Sequence, residues 1–102
     1  MHPAPFDIYL ARYEWQGCED ARPWLIVRVH ANGDMDGYPI AGACYRGDCF
    51  EIGEQHFKAC GLSRPCYIHY RMPHRLEPRH LVKYRGKLGG AVLQDFRNYT
   101  GL

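Results

Sequence analysis

The stretch LSRPCYIHYRMPHRLEPRHLVKYRGKLGGAVLQDFRNYTGL, Leu62–Leu102, decides the fold. Its first apolar run, Cys66 to Met72, is short and rich in strand formers. Alternation there places Cys66, Ile68 and Tyr70 on one face and Tyr67, His69 and Arg71 on the other. After the polar segment from His74 to His80, a second strand-like run extends from Leu81 towards Leu88, until Gly86 interrupts it. The period then changes. Val92, Phe96 and Tyr99 recur at spacings of four and three, the single apolar stripe of an amphipathic helix over Gly90–Tyr99. Gly101 stands where a left-handed helix cap belongs. Strands followed by one terminal helix set the pattern for the rest of the chain.

Working outward, Phe6, Ile8 and Leu10 alternate with Asp7 and Tyr9, the period of a half-buried strand. Residues 14–21 are polar, contain Gly17, and read as a loop. Trp24-Leu25-Ile26-Val27 is a continuous apolar run, which suits a central strand covered on both faces. Ala31-Asn32-Gly33-Asp34 is turn chemistry. Tyr38 to Tyr45 is a strand candidate of small residues. Arg46-Gly47-Asp48 is a further turn, and Cys49-Phe50-Glu51-Ile52 a further short strand. No repeat or low-complexity segment is visible. Five or more short strands and a terminal helix predict a mainly β chain, a small barrel carrying a C-terminal α-helix.

The 102 residues predict one domain, 1–102, and at 46% hydrophobic and 14% aromatic they exclude a disordered chain. No apolar run approaches the roughly 20 residues that span a bilayer. The opening Met1-His2-Pro3-Ala4-Pro5 lacks the basic patch and apolar core of a signal peptide, so the expected location is cytoplasmic. The net charge of +2 conceals an asymmetry: residues 1–57 hold four Lys/Arg and nine Asp/Glu, and residues 58–102 hold nine and two. Between Arg71 and Lys87 stand Arg71, Arg75, Arg79, Lys83, Arg85 and Lys87 against Glu77 alone. Cations interleaved with Tyr67, Tyr70 and Tyr84 suit a single-stranded nucleic acid, by phosphate attraction and base stacking. They equally suit a solvated sheet edge whose charges deter strand-to-strand aggregation.

Five cysteines, at 18, 44, 49, 60 and 66, are an odd number without a secretory signal, which argues against a disulfide framework. Cys60 and Cys66 with His56 and His69 lack the paired spacing of a structural zinc site, so no metal and no cofactor is expected.

Several motifs, in order, resemble the MazF/PemK toxins, the small endoribonucleases of type II toxin–antitoxin pairs. Asp7-Ile8-Tyr9-Leu10-Ala11 resembles that family's opening strand. Arg22-Pro23-Trp24-Leu25-Ile26-Val27 resembles its Arg-Pro and hydrophobic strand. Gly61-Leu62 followed by Pro65-Cys66-Tyr67-Ile68 resembles its Gly-Leu segment and next strand, and the C-terminal half follows in the same order. The resemblance spans nearly the whole chain. It implies an SH3-like barrel, a homodimer, metal-independent cleavage of single-stranded RNA, and neutralisation by an acidic antitoxin protein.

Cleaving RNA without metal takes a base for the 2′-hydroxyl, a cation for the charged phosphorane and an acid for the leaving 5′-oxygen. The resemblance assigns the cation to Arg22, whose guanidinium grips phosphate through two parallel hydrogen bonds at any working pH. The family's partner hydroxyl, a Ser or Thr, falls at Ala41 in Tyr38-Pro39-Ile40-Ala41-Gly42-Ala43, and Cys66 stands in place of a usual Ser. A methyl group donates nothing to a phosphate oxygen. Among the six histidines, His69 is the candidate acid or base, sharing a predicted strand face with Tyr67 and Arg71. RNA contacts are expected from Tyr67, Arg71, His74, Arg75, Lys83 and Lys87. Phe96 and Tyr99 are candidates for a dimer face wherever the barrel leaves them uncovered. The vacancy at Ala41 keeps open a non-catalytic alternative on the same fold, a CcdB-like gyrase binder or an RNA-binding barrel.

Overall fold

The structure is a computed structural model that describes residues 2–45, 47–71 and 73–102. Its strands are β1 (Asp7–Ala11), β2 (Arg22–Val29), β3 (Met35–Ala41), β4 (Phe50–Ile52), β5 (Cys66–Ile68), β6 (His74–Leu76) and β7 (Leu81–Lys87). A short 3-10 turn, Pro78–His80, precedes β7, and one helix, α1 (Gly90–Thr100), follows it. The strands form one sheet in the order β4-β5-β3-β2-β1-β7, with β6 paired to β3, and every pairing is antiparallel. The chain is therefore mainly β with a C-terminal helix, as its periodicity predicts. No helix among the described residues is long and apolar enough to cross a membrane.

Two apolar clusters explain the central strands. One gathers Ile8, Leu25, Ile40, Ile68, Val92 and Phe96. The other gathers Tyr9, Ala11, Trp24, Ile26, Met35 and Leu76. Successive residues of β2 enter opposite clusters, so its unbroken apolar run is a strand covered on both faces. The same arrangement corrects the half-buried reading of β1. Ile8 and Tyr9 are both buried, because β1 runs between β2 and β7 with one cluster on each side. Phe6 lies outside the strand, at φ 71°.

The turn at residues 31–34 forms as expected. The Asp34 N–H donates to Asn32 Oδ1 at 3.0 Å, and Gly33 takes φ 93°. β3 starts directly after it, at Met35 rather than Tyr38, and ends at Ala41. β5 is shorter than the predicted run to Met72, and Met72 lies outside the described residues, as does Arg46 of the second turn. The His69 N–H still donates to the Pro39 carbonyl at 2.9 Å before the chain leaves the sheet.

Gly86 does not interrupt β7. It is where the segment between β4 and β5 crosses that strand. A Cβ on Gly86 would overlap the Cys60 carbonyl, and one on Gly61 would overlap the Arg85 carbonyl. Gly61 also sits at φ 82°, a conformation that disfavours side chains. The crossing draws the β4 end of the sheet toward the β7 end.

α1 buries Val92 and Phe96, as its stripe predicts, and ends at Gly101, φ 78°, whose N–H donates to the Arg97 carbonyl at 2.8 Å. Phe96 packs edge-on against Phe50 and is fully buried, so it offers nothing to a dimer face, whereas Tyr99 remains exposed.

One expectation about the cysteines is overturned. Cys44 and Cys49 form a disulfide across the loop between β3 and β4. They stand five residues apart in that loop, so the pairing is local. Cys60 and Cys66 are buried in the first cluster, where they behave as small apolar residues.

Candidate nucleic-acid interface

Two clefts are of interest: Trp15 lines the second and touches the first only through Arg22. The first has a volume of about 550 Å³, and its walls include Arg22, Ala41, Ser63, Arg64 and Arg85. Three separate segments bring its cations together. Arg22 opens β2 opposite Ala11, and its guanidinium lies 4.9 Å over the Trp15 ring. Its Nε is buried and has no hydrogen-bond partner among the described residues. Arg85 is the extra residue of a bulge: Ile8 pairs with Gly86 and Tyr9 with Tyr84, so nothing opposes Arg85. A bulge re-aims its side chain, and here Arg85 turns into the cleft, with Nε donating to the Gly61 carbonyl at 3.3 Å. Arg64 lies across the end of β3. Its Nη2 is 3.0 Å from where a Cβ on Gly42 would stand, so glycine at 42 lets the guanidinium rest beside Ala41.

None of these three arginines forms an ion pair among the described residues, and the single carboxylate lining the cleft is that of the exposed Asp20. Converging cations over a partly apolar floor attract a phosphate and hold it by charge-assisted hydrogen bonds. Position 41 itself brings no hydroxyl, since it is Ala41. Cys66 also lines this cleft, and burial pushes its thiol up to about 11, so it stays protonated and is a poor donor.

The second cleft, of about 360 Å³, is lined by Trp15, Gln16, Pro39, Asp48, His69, Arg71 and His74. His69 is buried. Its ring meets Trp15 edge-on at 4.8 Å and stacks on Tyr45 at 5.6 Å. His69 Nε2 is 3.0 Å from the Ala43 carbonyl, an acceptor only, so that nitrogen carries the proton, and Nδ1 faces Cys49 Sγ at 3.6 Å. His74 packs edge-on against Tyr13 and Trp24, and burial lowers its pKa below the ordinary 6.5.

Asp48 anchors this side. It accepts hydrogen bonds from the hydroxyls of Tyr70 at 2.7 Å and Tyr99 at 3.3 Å, and pairs with Arg71 at 2.8 Å. The Tyr70 hydrogen bond, helped by Arg71 and Tyr99, holds the carboxyl below its ordinary value despite some desolvation. The same bond pushes Tyr70 up to about 12.

The predicted contact residues therefore do not form one track. His69, Arg71 and His74 share the second cleft, and Arg22 belongs to the first. Tyr67 is half-buried on β5 opposite Ala41. Lys83 is opposite Leu10, a residue of the first cleft, and so shares its side of the sheet. Lys87 is opposite Asp7, at the other end of β1. Arg75 pairs with Asp34 at 3.5 Å and Arg79 with Glu77 at 3.0 Å. Half of the dense basic segment is thus matched by carboxylates. The sequence pattern places Arg85 within that basic segment and marks neither Arg64 nor Ser63 nor Trp15. The crossing at Gly61 and Gly86 is what brings the loop of Ser63 and Arg64 to Arg85.

Compared with known proteins, this chain matches no protein-family model and no curated protein.

Proposed function

We propose that this chain is a MazF/PemK-like toxin, a metal-independent endoribonuclease that cleaves single-stranded RNA and is neutralised by an acidic antitoxin protein. The observation that carries the reading is the cleft in which Arg22, Arg64 and Arg85 converge without ion-pair partners among the described residues. Arg22 is the residue to which the family resemblance assigns the phosphate, and its Nε is buried without a partner there. Such a group is stabilised by an anionic ligand. The order of strands, with β1 paired to β7 and a segment crossing between the sheet's two ends, supports the SH3-like barrel. Homodimerisation belongs to the same reading. The exposed Val82 and Tyr84 on the edge strand β7 are apolar surface available to it.

The second reading, a non-catalytic binder on the same fold, is favoured by Ala41. The two separate on one assay: a labelled single-stranded RNA incubated with parent and Arg22→Ala proteins, with EDTA present throughout. The nuclease reading expects cleavage by the parent and its loss in the variant. Binding without cleavage by the parent favours the second reading. Cleavage abolished by EDTA defeats the metal-free mechanism.

A further inference from the structure

The hydroxyl missing at Ala41 has a candidate replacement across the cleft. Three features converge on the loop from Gly61 to Pro65. Ser63 is exposed and lines the same cleft as Arg22 and Ala41. Its neighbour Arg64 reaches over Gly42, the residue after Ala41. The loop is also held at its base. Leu62 N–H donates to the Phe57 carbonyl at 3.0 Å, Arg85 Nε donates to the Gly61 carbonyl, and Gly61 rests directly on the β7 backbone. A donor on a pinned loop is pre-positioned, which is what stabilising a transient charge requires. The other donors of the cleft are less suited: Cys66 is a buried thiol, and Tyr45 carries its hydroxyl on a ring stacked against His69, outside the pinned loop.

We infer that Ser63 and Arg64 form the second half of the phosphate clamp, Ser63 donating the hydrogen bond that a hydroxyl at position 41 would otherwise supply. The inference rests on the endoribonuclease reading. In the step it serves, the 2′-oxygen bonds to phosphorus and the bond from phosphorus to the 5′-oxygen breaks. A 2′,3′-cyclic phosphate and a 5′-hydroxyl result, and the proton leaving the 2′-oxygen is matched by one reaching the 5′-oxygen. Ser63 transfers no proton. It donates to a non-bridging oxygen whose charge grows in the transition state, while Arg64 and Arg22 hold that charge from two sides.

The test compares parent, Ser63→Ala, Ser63→Thr and the double variant Ser63→Ala/Ala41→Thr on one single-stranded RNA, with kcat, KM and melting temperature measured for each. Loss of one such donor is expected to lower kcat about ten- to a hundredfold with KM nearly unchanged. Ser63→Thr, which keeps the hydroxyl, should stay close to the parent, and Ala41→Thr should restore part of the lost kcat. Ser63→Ala cleaving like the parent overturns the assignment and leaves the nuclease reading standing. A rise in KM alone overturns it too, by reducing Ser63 to a ground-state contact. A parent that binds RNA but does not cut overturns the inference in favour of a binding protein. A parent that neither binds nor cuts overturns the RNA reading itself.

Discussion

The two clefts each hold three Arg or His side chains, and they differ electrically. In the first, Arg22, Arg64 and Arg85 face a single exposed carboxylate. In the second, Arg71 is already committed to Asp48, and the histidines are packed against rings. Charge density along a sequence is therefore a poor guide to the field at a surface. The segment from Arg71 to Lys87 is the most basic in the chain, yet three of its arginines are matched by Asp48, Asp34 and Glu77. The unmatched cleft is built from positions 22, 64 and 85, each in a different segment.

That contrast predicts unequal responses to mutation. Arg22→Ala should lower RNA cleavage about a hundredfold or more with the fold intact, the usual scale for removing a donor to a developing charge. Arg71→Ala should change it only a few-fold. Initial rates for both, beside circular dichroism spectra, decide the point. Equal losses would erase the distinction between the clefts.

Gly61→Ala attacks the first cleft through its scaffold. The methyl group overlaps the Arg85 carbonyl and forces an alanine to φ 82°. The expected destabilisation is about 2 kcal/mol or more, with the melting midpoint lowered and RNA binding weakened. Gly17→Ala, where a Cβ meets nothing within 4 Å although φ is also positive, should cost less. Urea melts of the two variants make the comparison.

A finer test uses salt. If Arg85 contacts phosphate, Arg85→Gln should reduce the slope of log affinity against log salt by about one, while Arg75→Gln, which loses a residue paired with Asp34, should leave the slope nearly unchanged. Matching slopes in the two variants would return weight to the basic segment as a continuous track.

The smallest expected effect belongs to the second cleft. Burial depresses the pKa of His74, so the folded state favours the neutral ring. Its contribution to stability is fully present above the ordinary value of 6.5 and is lost as pH falls through the lowered one. Below that, protonation of Asp48, whose pKa is also depressed, releases Tyr70, Tyr99 and Arg71 as pH falls below its ordinary 3.8. Melting midpoints should decline in two stages on acidification. Replacing His74 with Gln should flatten the first stage and leave the second.

Much of the scaffold was legible because it is written locally. The apolar run at Trp24–Val27, the Asn-Gly turn at 32–33 and the stripe of Val92 and Phe96 each declare a period or a turn within a few residues. Arg22 was legible through its Arg-Pro context. What escaped was non-local. Asp34 and Asp48 neutralise arginines far along the chain. The strand β1 is buried on both faces because of its neighbours, not its own alternation. The bulge at Arg85 is created by a register shift against β1, and Gly86, which reads as a strand breaker, is instead a point of close backbone crossing.

The placement of Trp15 has a practical consequence. The chain has two indoles. That of Trp24 is sealed in the second apolar cluster and should emit as a constant background outside the pH range in which the His74 ring beside it titrates. That of Trp15 is half-buried, with the Arg22 guanidinium on it and the His69 ring against it. A ligand that draws Arg22 off the ring, or one that enters the second cleft, should therefore shift the emission of this one chromophore, an optical gauge that needs no attached dye.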